Sequence, residues 1–482
     1  MPAKVNLNNN YNSSFSTSKS KTISTFTLAM INVSAVASIK NLPIMVECGM
    51  SMIFYYTFAC FCFLIPCSLV AAELTTGWPE VGGIYNWVNQ AMGPRFGFFA
   101  VWFQWSQNIV WFPTQICFVA GIIAYIFNPE LVQNKTYMIF MVIFLYWLMN
   151  LINLRGIHIS SFISIVGATF GICLPGLMLL CFALYWIFFS KNTIAIDFTL
   201  KNIMPSVDSF DNISFLAGMI LSFAGMEMSA VHIHNVSNPK KNYPKAIFFS
   251  SCLIILIYVL GSMSLAVVIP KSDIKLIDGV MQAFVYFLQS LNIEFLIPFM
   301  AILIACGSCA TLSTWMIGPA KAIFVCSNNG ELPVFLRKKN NKNMPIGVMI
   351  CQGIIITILC VIFIMMPTIE GAFWILLILC SQFYTIMYIM MFVSAIILRI
   401  KNPNKIYYYK IPGGNIGLNI IASIGIISCL FSLIVGLFPP SHMEIKEKEL
   451  FYKVLLCGSL LFIITPFIFQ VIKNSKMERK LN

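Results

Sequence analysis

Long apolar stretches, each of about 20 residues or more, follow one another along almost the whole chain, with short polar loops between them. The apolar residues run continuously and do not alternate with polar ones, which favours membrane-spanning helices over the strands of a barrel. Backbone groups in hydrocarbon must be paired within the chain, and a helix pairs its own. The pattern therefore predicts an all-α integral membrane protein of about twelve transmembrane helices. These spans are predicted to begin near Ile23, Cys48, Phe96, Tyr137, Ser160, Ser214, Ala246, Phe295, Ile346, Gly371, Leu418 and Phe451.

Composition agrees with this pattern and excludes a soluble protein. Hydrophobic residues make up 59% of the chain and charged residues only 10%, whereas a soluble domain is about 25% charged. The formal net charge of +13 does not indicate nucleic-acid binding, because the basic residues lie in alternate loops and not on one face. We therefore expect membrane lipid, and no nucleic acid, among its partners.

The distribution of Lys and Arg predicts the orientation. Loops and tails on the amino-terminal side of the membrane hold twenty of these residues, and loops on the other side, Lys40 among them, hold eight. Cytosolic loops carry the excess of positive charge, so both termini are predicted to be cytosolic. Residues 1–22, rich in Asn, Ser and Lys, are predicted to be a disordered cytosolic tail. Residues 23–472 form the predicted membrane domain, and residues 473–482 a short cytosolic tail.

Two connecting segments are predicted to carry short helices of their own. The segment Thr75–Pro94 is too polar to span a membrane and contains a Pro-Glu, Gly-Gly turn before an aromatic stretch, which is typical of an interfacial helix. The segment Asp278–Leu291 is moderately apolar and is predicted to lie over an outer entrance.

Glu227 is the most informative ionisable residue within a span. It lies in SFAGMEMSAVHIHN, near Gly218 and Gly225 and before Asn238-Pro239. Ionisable residues at membrane depth are costly and mark substrate or proton pathways by default. The alternative is a carboxylate that only holds neighbouring helices together. We interpret Glu227 as a substrate-contacting or proton-coupling carboxylate beside a helix break.

Three further polar clusters leave the same two interpretations open, a binding site or ordinary helix packing. The first span contains Asn32, Ser34 and Ser38, and the eighth contains Ser308, Thr311 and Ser313 beside Gly307. Tyr384 and Tyr388 are four residues apart and therefore share one face of a helix. They are candidates for gating or substrate contact.

The chain lacks the sequence signatures of several other classes. It has no phosphate-binding loop, which argues against an ATP-driven pump, and no H-E-x-x-H or G-x-S-x-G, which argues against a membrane enzyme. Cys306 and Cys309 form a single CxxC in mid-span without a second pair, for which packing is the favoured interpretation. We expect no cofactor and no metal ion.

Five stretches in order resemble the amino acid–polyamine–organocation superfamily of secondary transporters, and most closely its bacterial glutamate/GABA antiporter family. They are AAELTTGWPEVGGIYNWVNQAMGPRFGF, FAGMEMSAVHIHNVSNPKKNYPKAI, VIPKSDIKLIDGVMQAF, WMIGPAKAIF and YKIPGGNIG. The resemblance implies a ten-helix core of two inverted five-helix repeats (5+5), plus two C-terminal helices. It also implies discontinuous first and sixth spans that form the substrate site.

Carried over position by position, the resemblance implies a set of substrate-binding residues. The antiporters have an acidic residue in the eighth span, where this chain has Thr311, so another substrate, such as a neutral amino acid, is an equal expectation. The implied site residues are Ile31, Asn32, Val33, Ser34, Ala35, Val36, Ser222, Phe223, Ala224, Gly225, Glu227, Thr311, Tyr384 and Tyr388.

The resulting expectation is an amino acid antiporter of the bacterial cytoplasmic (inner) membrane that works by alternating access. A proton-coupled amino acid permease and a non-transporting amino acid sensor of the same fold are the alternatives. Protons are a candidate coupling ion, and the predicted assembly is a monomer or a homodimer.

Overall fold

The computed structural model describes residues 23–78, 83–156, 171, 173–190, 192–205, 215–405, 409–439 and 445–481. Within this part of the chain the regular structure is helical, apart from one isolated bridge between Ile23 and Val236. Among the described residues, nine helical stretches are long and apolar enough to cross a membrane, and three shorter apolar helices accompany them. The stretch Ile39–Gly77 contains the second half of the first span together with the second span, and Thr25–Val36 is the first half, so all twelve predicted spans are represented.

Two of the spans are interrupted. The first consists of Thr25–Val36 and a 3-10 helix, Ile39–Ser51. The sixth consists of Phe215–Ser222 and a 3-10 helix, Met226–Asn235. The interruptions lie five spans apart, as two inverted five-helix repeats require.

The remaining spans follow in chain order. The second span comprises Met52–Ala59, Cys60–Leu64 and Ile65–Gly77. The third is Pro94–Phe127, the fourth is Lys135–Leu154, and the described part of the fifth is Leu174–Phe188. The seventh to the twelfth spans are, in order, Pro239–Val268, Ile297–Asn328, Ile346–Leu359 with Val361–Met365, Ile369–Lys401, Gly414–Val435 and Ile445–Leu481. Short 3-10 turns occupy Pro129–Gln133, Leu200–Ile203, Glu294–Leu296 and Val334–Arg337.

Most predicted span starts lie within a few residues of the observed ones, and both connecting helices are confirmed, at Ile84–Met92 and Gly279–Ser290. The predicted starts of the fifth and sixth spans, Ser160 and Ser214, lie outside the described residues, as does the predicted tail of residues 1–22. The twelfth helix continues to Leu481, through most of the predicted carboxyl-terminal tail.

The prediction that Lys40 lies in an outer loop is wrong. The first span resumes after its interruption and continues to Ser51, so Lys40 lies inside it and is only 2% exposed. The polar pair Lys40-Asn41 and the following Pro43 resemble a loop in sequence, because a 3-10 segment with a proline has no helical apolar periodicity.

A buried ion pair fixes the carboxyl-terminal ends of the second and tenth spans. The Arg399 guanidinium binds the Glu73 carboxylate through two nitrogens, with Nε 2.9 Å from Oε1. The same carboxylate accepts the backbone N–H of Ile411 at 2.8 Å, and Arg399 Nη1 donates to the carbonyl of Gly414 at 2.5 Å. Because the two charges neutralise each other and each also bonds a backbone group, the pair can be buried, and it ties the loop before the eleventh span to the core.

The fifth and eighth spans touch at two glycines. A Cβ placed on Gly307 would overlap the Cα of Gly171, and the reverse placement would overlap Gly307. Close helix packing is therefore the observed role of Gly307, and the absence of a side chain is what permits the backbone contact.

We predict that Gly307→Ala lowers the stability of the folded protein by about 1–3 kcal/mol, because the overlap is with backbone and the helices must separate. Thermal unfolding of the purified protein in detergent measures the effect. Gly176→Ala, at a fifth-span position with no heavy atom within 4 Å of the new Cβ, is the matched control and should be close to neutral. Equal stability of the two variants would contradict the packing assignment.

Candidate functional site at two helix breaks

The first break lies between the two halves of the first span. The helix ends at Val36, and Ala37 and Ser38 have extended backbone dihedral angles before the 3-10 helix begins at Ile39. Neither break residue is a glycine or a proline, so local propensity does not explain the interruption. Its cause lies in the residues that surround it.

The second break lies in the sixth span, where a glycine supplies the conformation. Residues Phe223, Ala224 and Gly225 separate the two halves, and Gly225 has a φ of +121°, which only glycine adopts without strain. Gly225 lies against the Ala35 carbonyl and the Val36 side chain of the first span. The two breaks are therefore direct neighbours.

One hydroxyl group from the seventh span joins the two breaks. The Tyr258 oxygen lies 2.8 Å from the carbonyl oxygen of Val36 and 3.0 Å from that of Ser222, the last residues of the two half-helices. It also accepts the N–H of Ser38 at 3.2 Å and the amide of Asn41 at 3.3 Å. Tyr258 thus partners backbone groups that both breaks leave without a helical partner.

The same face of the seventh span holds the first span on both sides of its break. Asn32 donates to Ser250 at 3.3 Å before the break, and Ser262 donates to the carbonyl of Leu42 at 2.9 Å after it. Ser250, Tyr258 and Ser262 are spaced by multiples of four residues and form one stripe along the helix. The seventh span therefore backs the interrupted span along its length.

Glu227, directly after the second break, is held by both tyrosines of the tenth span. Its Oε1 accepts the Tyr384 hydroxyl at 2.6 Å, and its Oε2 accepts the Tyr388 hydroxyl at 2.5 Å. Tyr388 in turn accepts the backbone N–H of Gly225 at 2.6 Å. The carboxylate is 3% exposed, so these hydrogen bonds replace its water shell.

A small cavity of about 40 Å³ lies between the breaks. A few water molecules fit such a volume, whereas small-molecule sites measure about 300–1,000 Å³. The described conformation is therefore too narrow at this point for a small-molecule substrate. The lining residues are Ala35, Val36, Ala37, Ser38, Lys40, Asn41, Gln107, Trp111, Leu221, Ser222, Ala224, Thr311, Trp315, Leu377 and Tyr384.

The structure brings most of the predicted site residues to the breaks. Ala35, Val36, Ser222, Ala224, Thr311 and Tyr384 line the cavity. Gly225, Glu227 and Tyr388 form the hydrogen-bonded group beside it, and the Phe223 ring packs edge-on against Tyr258 at 5.5 Å.

The earlier positions of the first span are not brought to the cavity. Ile31, Asn32, Val33 and Ser34 belong to the continuous helix before the break. Asn32 faces the seventh span, and the Ser34 hydroxyl donates to the carbonyl of Ile31 at 2.9 Å.

Several residues at the site were not predicted, and the polar ones with the most contacts or charge are Tyr258, Lys40 and Gln107. Tyr258 is one of two tyrosines in the seventh span, and nothing in the sequence separates it from a packing residue. Lys40 could have been found if residues 23–51 had been treated as a single span, because it is then a lysine at membrane depth. Gln107 lies in the polar group Gln104–Asn108 of the third span, which was a usable signal.

We predict that Tyr258→Phe lowers stability by about 1–3 kcal/mol, the cost of leaving buried backbone groups without a partner. Tyr56→Phe is the matched control. Tyr56 is fully buried, stacks on Tyr258 at 5.9 Å and hydrogen-bonds the Ser262 side chain, which keeps its bond to the carbonyl of Leu42. Thermal unfolding in detergent compares the two. A control as unstable as Tyr258→Phe would show that the breaks do not depend on this hydroxyl.

Comparison with known proteins identifies the family to which a chain of this architecture belongs. The family model described as amino acid permease matches residues 23–461. An uncharacterised transporter of Legionella pneumophila is 39% identical over 449 residues, covering 93% of this chain and 96% of that protein. A glutamate/gamma-aminobutyrate antiporter of Lactococcus lactis is 30% identical over 458 residues, covering 93% and 90%.

A more distant relative has a different cargo in its name. A probable agmatine/putrescine antiporter of Lactococcus lactis is 26% identical and covers 86% of this chain and 87% of its own. These relatives are transporters and not enzymes, and the family match covers both helix breaks and the two tyrosines of the tenth span. The chain is a multi-pass membrane protein that belongs to the amino acid permease family.

Proposed function

We propose that this protein is a secondary active transporter that exchanges amino acids across the bacterial cytoplasmic membrane by alternating access. The observation that carries the proposal is the pair of adjacent helix breaks, with Glu227 held beside them by two tyrosines. The names of the antiporter relatives support exchange over one-way transport.

The breaks supply what a zwitterion needs when it leaves water. Helix amino termini carry partial positive charge and carboxyl termini partial negative charge. At each break one half-helix ends and the next begins, at Val36 and Ile39 and at Ser222 and Met226. An amino acid between them can place its carboxylate at the amino ends and its ammonium at the carboxyl ends.

Binding requires a second, wider conformation, because the cavity of about 40 Å³ lies far below the volume of small-molecule sites. Tyr384 lines the cavity and bonds Glu227, while Tyr388 bonds both Glu227 and the Gly225 backbone. We propose that the substrate replaces part of this hydrogen-bonded group as the site opens. For transport that is not a one-for-one exchange of amino acids, we propose that the coupling ion is the proton and that Glu227 carries it.

The proposed membrane topology and location rest on the distribution of basic residues and on the bacterial relatives. We propose that both termini lie in the cytosol, because the excess of basic residues is on their side of the membrane. The correction at Lys40 removes one lysine from the opposite side and strengthens that bias. The working assembly is proposed to be a monomer or a homodimer.

Counterflow in proteoliposomes tests the function. Vesicles containing the purified protein are preloaded with a mixture of amino acids, and entry of labelled amino acids is followed. We expect uptake that requires amino acid inside. Uptake without internal amino acid, driven by a pH gradient, would favour a proton-coupled permease. Binding seen by thermal shift with no flux under either condition would favour a sensor and overturn the proposal.

We predict that Glu227→Gln slows exchange roughly ten- to hundredfold, the range expected for loss of charge-assisted hydrogen bonds, while the protein still folds. Tyr388→Phe should be more damaging than Tyr384→Phe, because it also leaves the Gly225 N–H without its acceptor. Initial exchange rates at equal amounts of reconstituted protein measure the order. Full activity in Glu227→Gln would remove Glu227 from the mechanism.

A further inference from the structure

Lys40 is a buried cation beside the first break. Its Nζ donates to the Thr114 hydroxyl at 3.1 Å and lies 5.4 Å from the centre of the Trp111 ring and 5.8 Å from that of Phe373. None of the ion pairs formed among the described residues includes Lys40. A buried ammonium without an anion is costly, which indicates that its charge serves a purpose other than packing.

Lys40 and Glu227 occupy matching positions in the two halves of the fold. Lys40 is two residues past Ser38, the last residue of the first break, and Glu227 is two residues past Gly225, the last residue of the second. The Glu227 carboxylate is partnered by two hydroxyl donors, whereas the Lys40 ammonium has one neutral acceptor and ring faces. Lys40 also lines the cavity directly, so the cavity faces an uncompensated positive charge.

Gln107 adds an incomplete polar group to the same wall. The side chain is 3% exposed and lines the cavity with Lys40, and its amide nitrogen contacts the Cys380 sulfur at 3.3 Å. Its amide oxygen is buried without a hydrogen-bond partner in the described part of the chain. Buried polar atoms in native proteins are paired, so this one points to a ligand that donates a hydrogen bond there.

We infer that Lys40 is a specificity-determining residue that selects the charge of the cargo, and that the cargo is an amino acid with an anionic side chain. The α-carboxylate and α-ammonium occupy the half-helix ends, as the proposed function already requires. The second carboxylate meets the Lys40 ammonium, and the Gln107 amide oxygen accepts a hydrogen bond from the α-ammonium, the only donor that such a cargo carries. A diamine would place a like charge at Lys40 and is rejected.

The test compares glutamate with glutamine, which has almost the same shape but no side-chain charge, and with lysine. Counterflow in proteoliposomes is measured separately for each labelled compound. We expect the wild-type protein to exchange glutamate at least about tenfold faster than glutamine, as one charge-assisted contact allows, and to exclude lysine. Lys40→Gln should reduce the glutamate-to-glutamine ratio by at least about tenfold. Lys40→Arg should largely preserve it.

Lys321→Gln is the matched control, because Lys321 lies in the eighth span and does not line the cavity. Its glutamate-to-glutamine ratio should equal that of the wild type. An unchanged ratio in Lys40→Gln, or a wild-type protein that exchanges glutamine as fast as glutamate, overturns the inference while leaving amino acid exchange intact. If Lys40→Gln does not fold, the wild-type ratio and Lys40→Arg decide the question. Absence of exchange with every amino acid rejects the proposed function itself.

Discussion

An interrupted helix inside an apolar bundle leaves backbone carbonyl and N–H groups without helical partners, and no water shell is present to satisfy them. The structure meets this constraint with two phenolic hydroxyls. The Tyr258 hydroxyl lies within hydrogen-bond distance of the Val36 and Ser222 carbonyl groups, which end the first halves of the two interrupted spans. The Tyr388 oxygen accepts the Gly225 N–H. Because each partner is a single hydroxyl on a neighbouring helix, these hydrogen bonds stabilise the breaks without making them rigid. A backbone site can therefore be stable when empty and still exchange its partners for those of a ligand.

The position of charge around the breaks follows from the same constraint. Glu227 shares Tyr388 with the backbone, so any change at the second break reaches the carboxylate through one shared hydroxyl. Lys40 stands at the equivalent place after the first break, with no carboxylate beside it in the described conformation. In the Glu73–Arg399 pair, in contrast, each charge meets the opposite charge and a backbone group, and the pair serves as a fixed anchor. The paired charges of Glu73 and Arg399 therefore stabilise the fold, whereas the charge of Lys40, which forms no ion pair among the described residues, faces the cavity.

The helical class and most span positions could be predicted, because apolar length and charge bias are properties of the local sequence. Glu227, Tyr384 and Tyr388 could be named because the resemblance rests on short local motifs. Sequence analysis could not predict Tyr258, since its importance comes from contacts 36 and more residues away in sequence. Lys40 was misplaced because a 3-10 segment containing Pro43 lacks the helical apolar pattern. The first-span prediction of Ile31–Val36 only partly coincides with the cavity, which begins at Ala35 and extends past the break to Asn41. The break itself depends on tertiary contacts that no local pattern encodes.

The most direct measurement is an experimental structure with an exchanged amino acid bound. The account predicts density for the amino acid between the two breaks, with its carboxylate and ammonium at the half-helix ends and with the Tyr–Glu227 hydrogen bonds rearranged. Density for the amino acid elsewhere, such as in the groove beside Phe248 and Lys245, with both breaks unchanged and the cavity still as narrow, would contradict it.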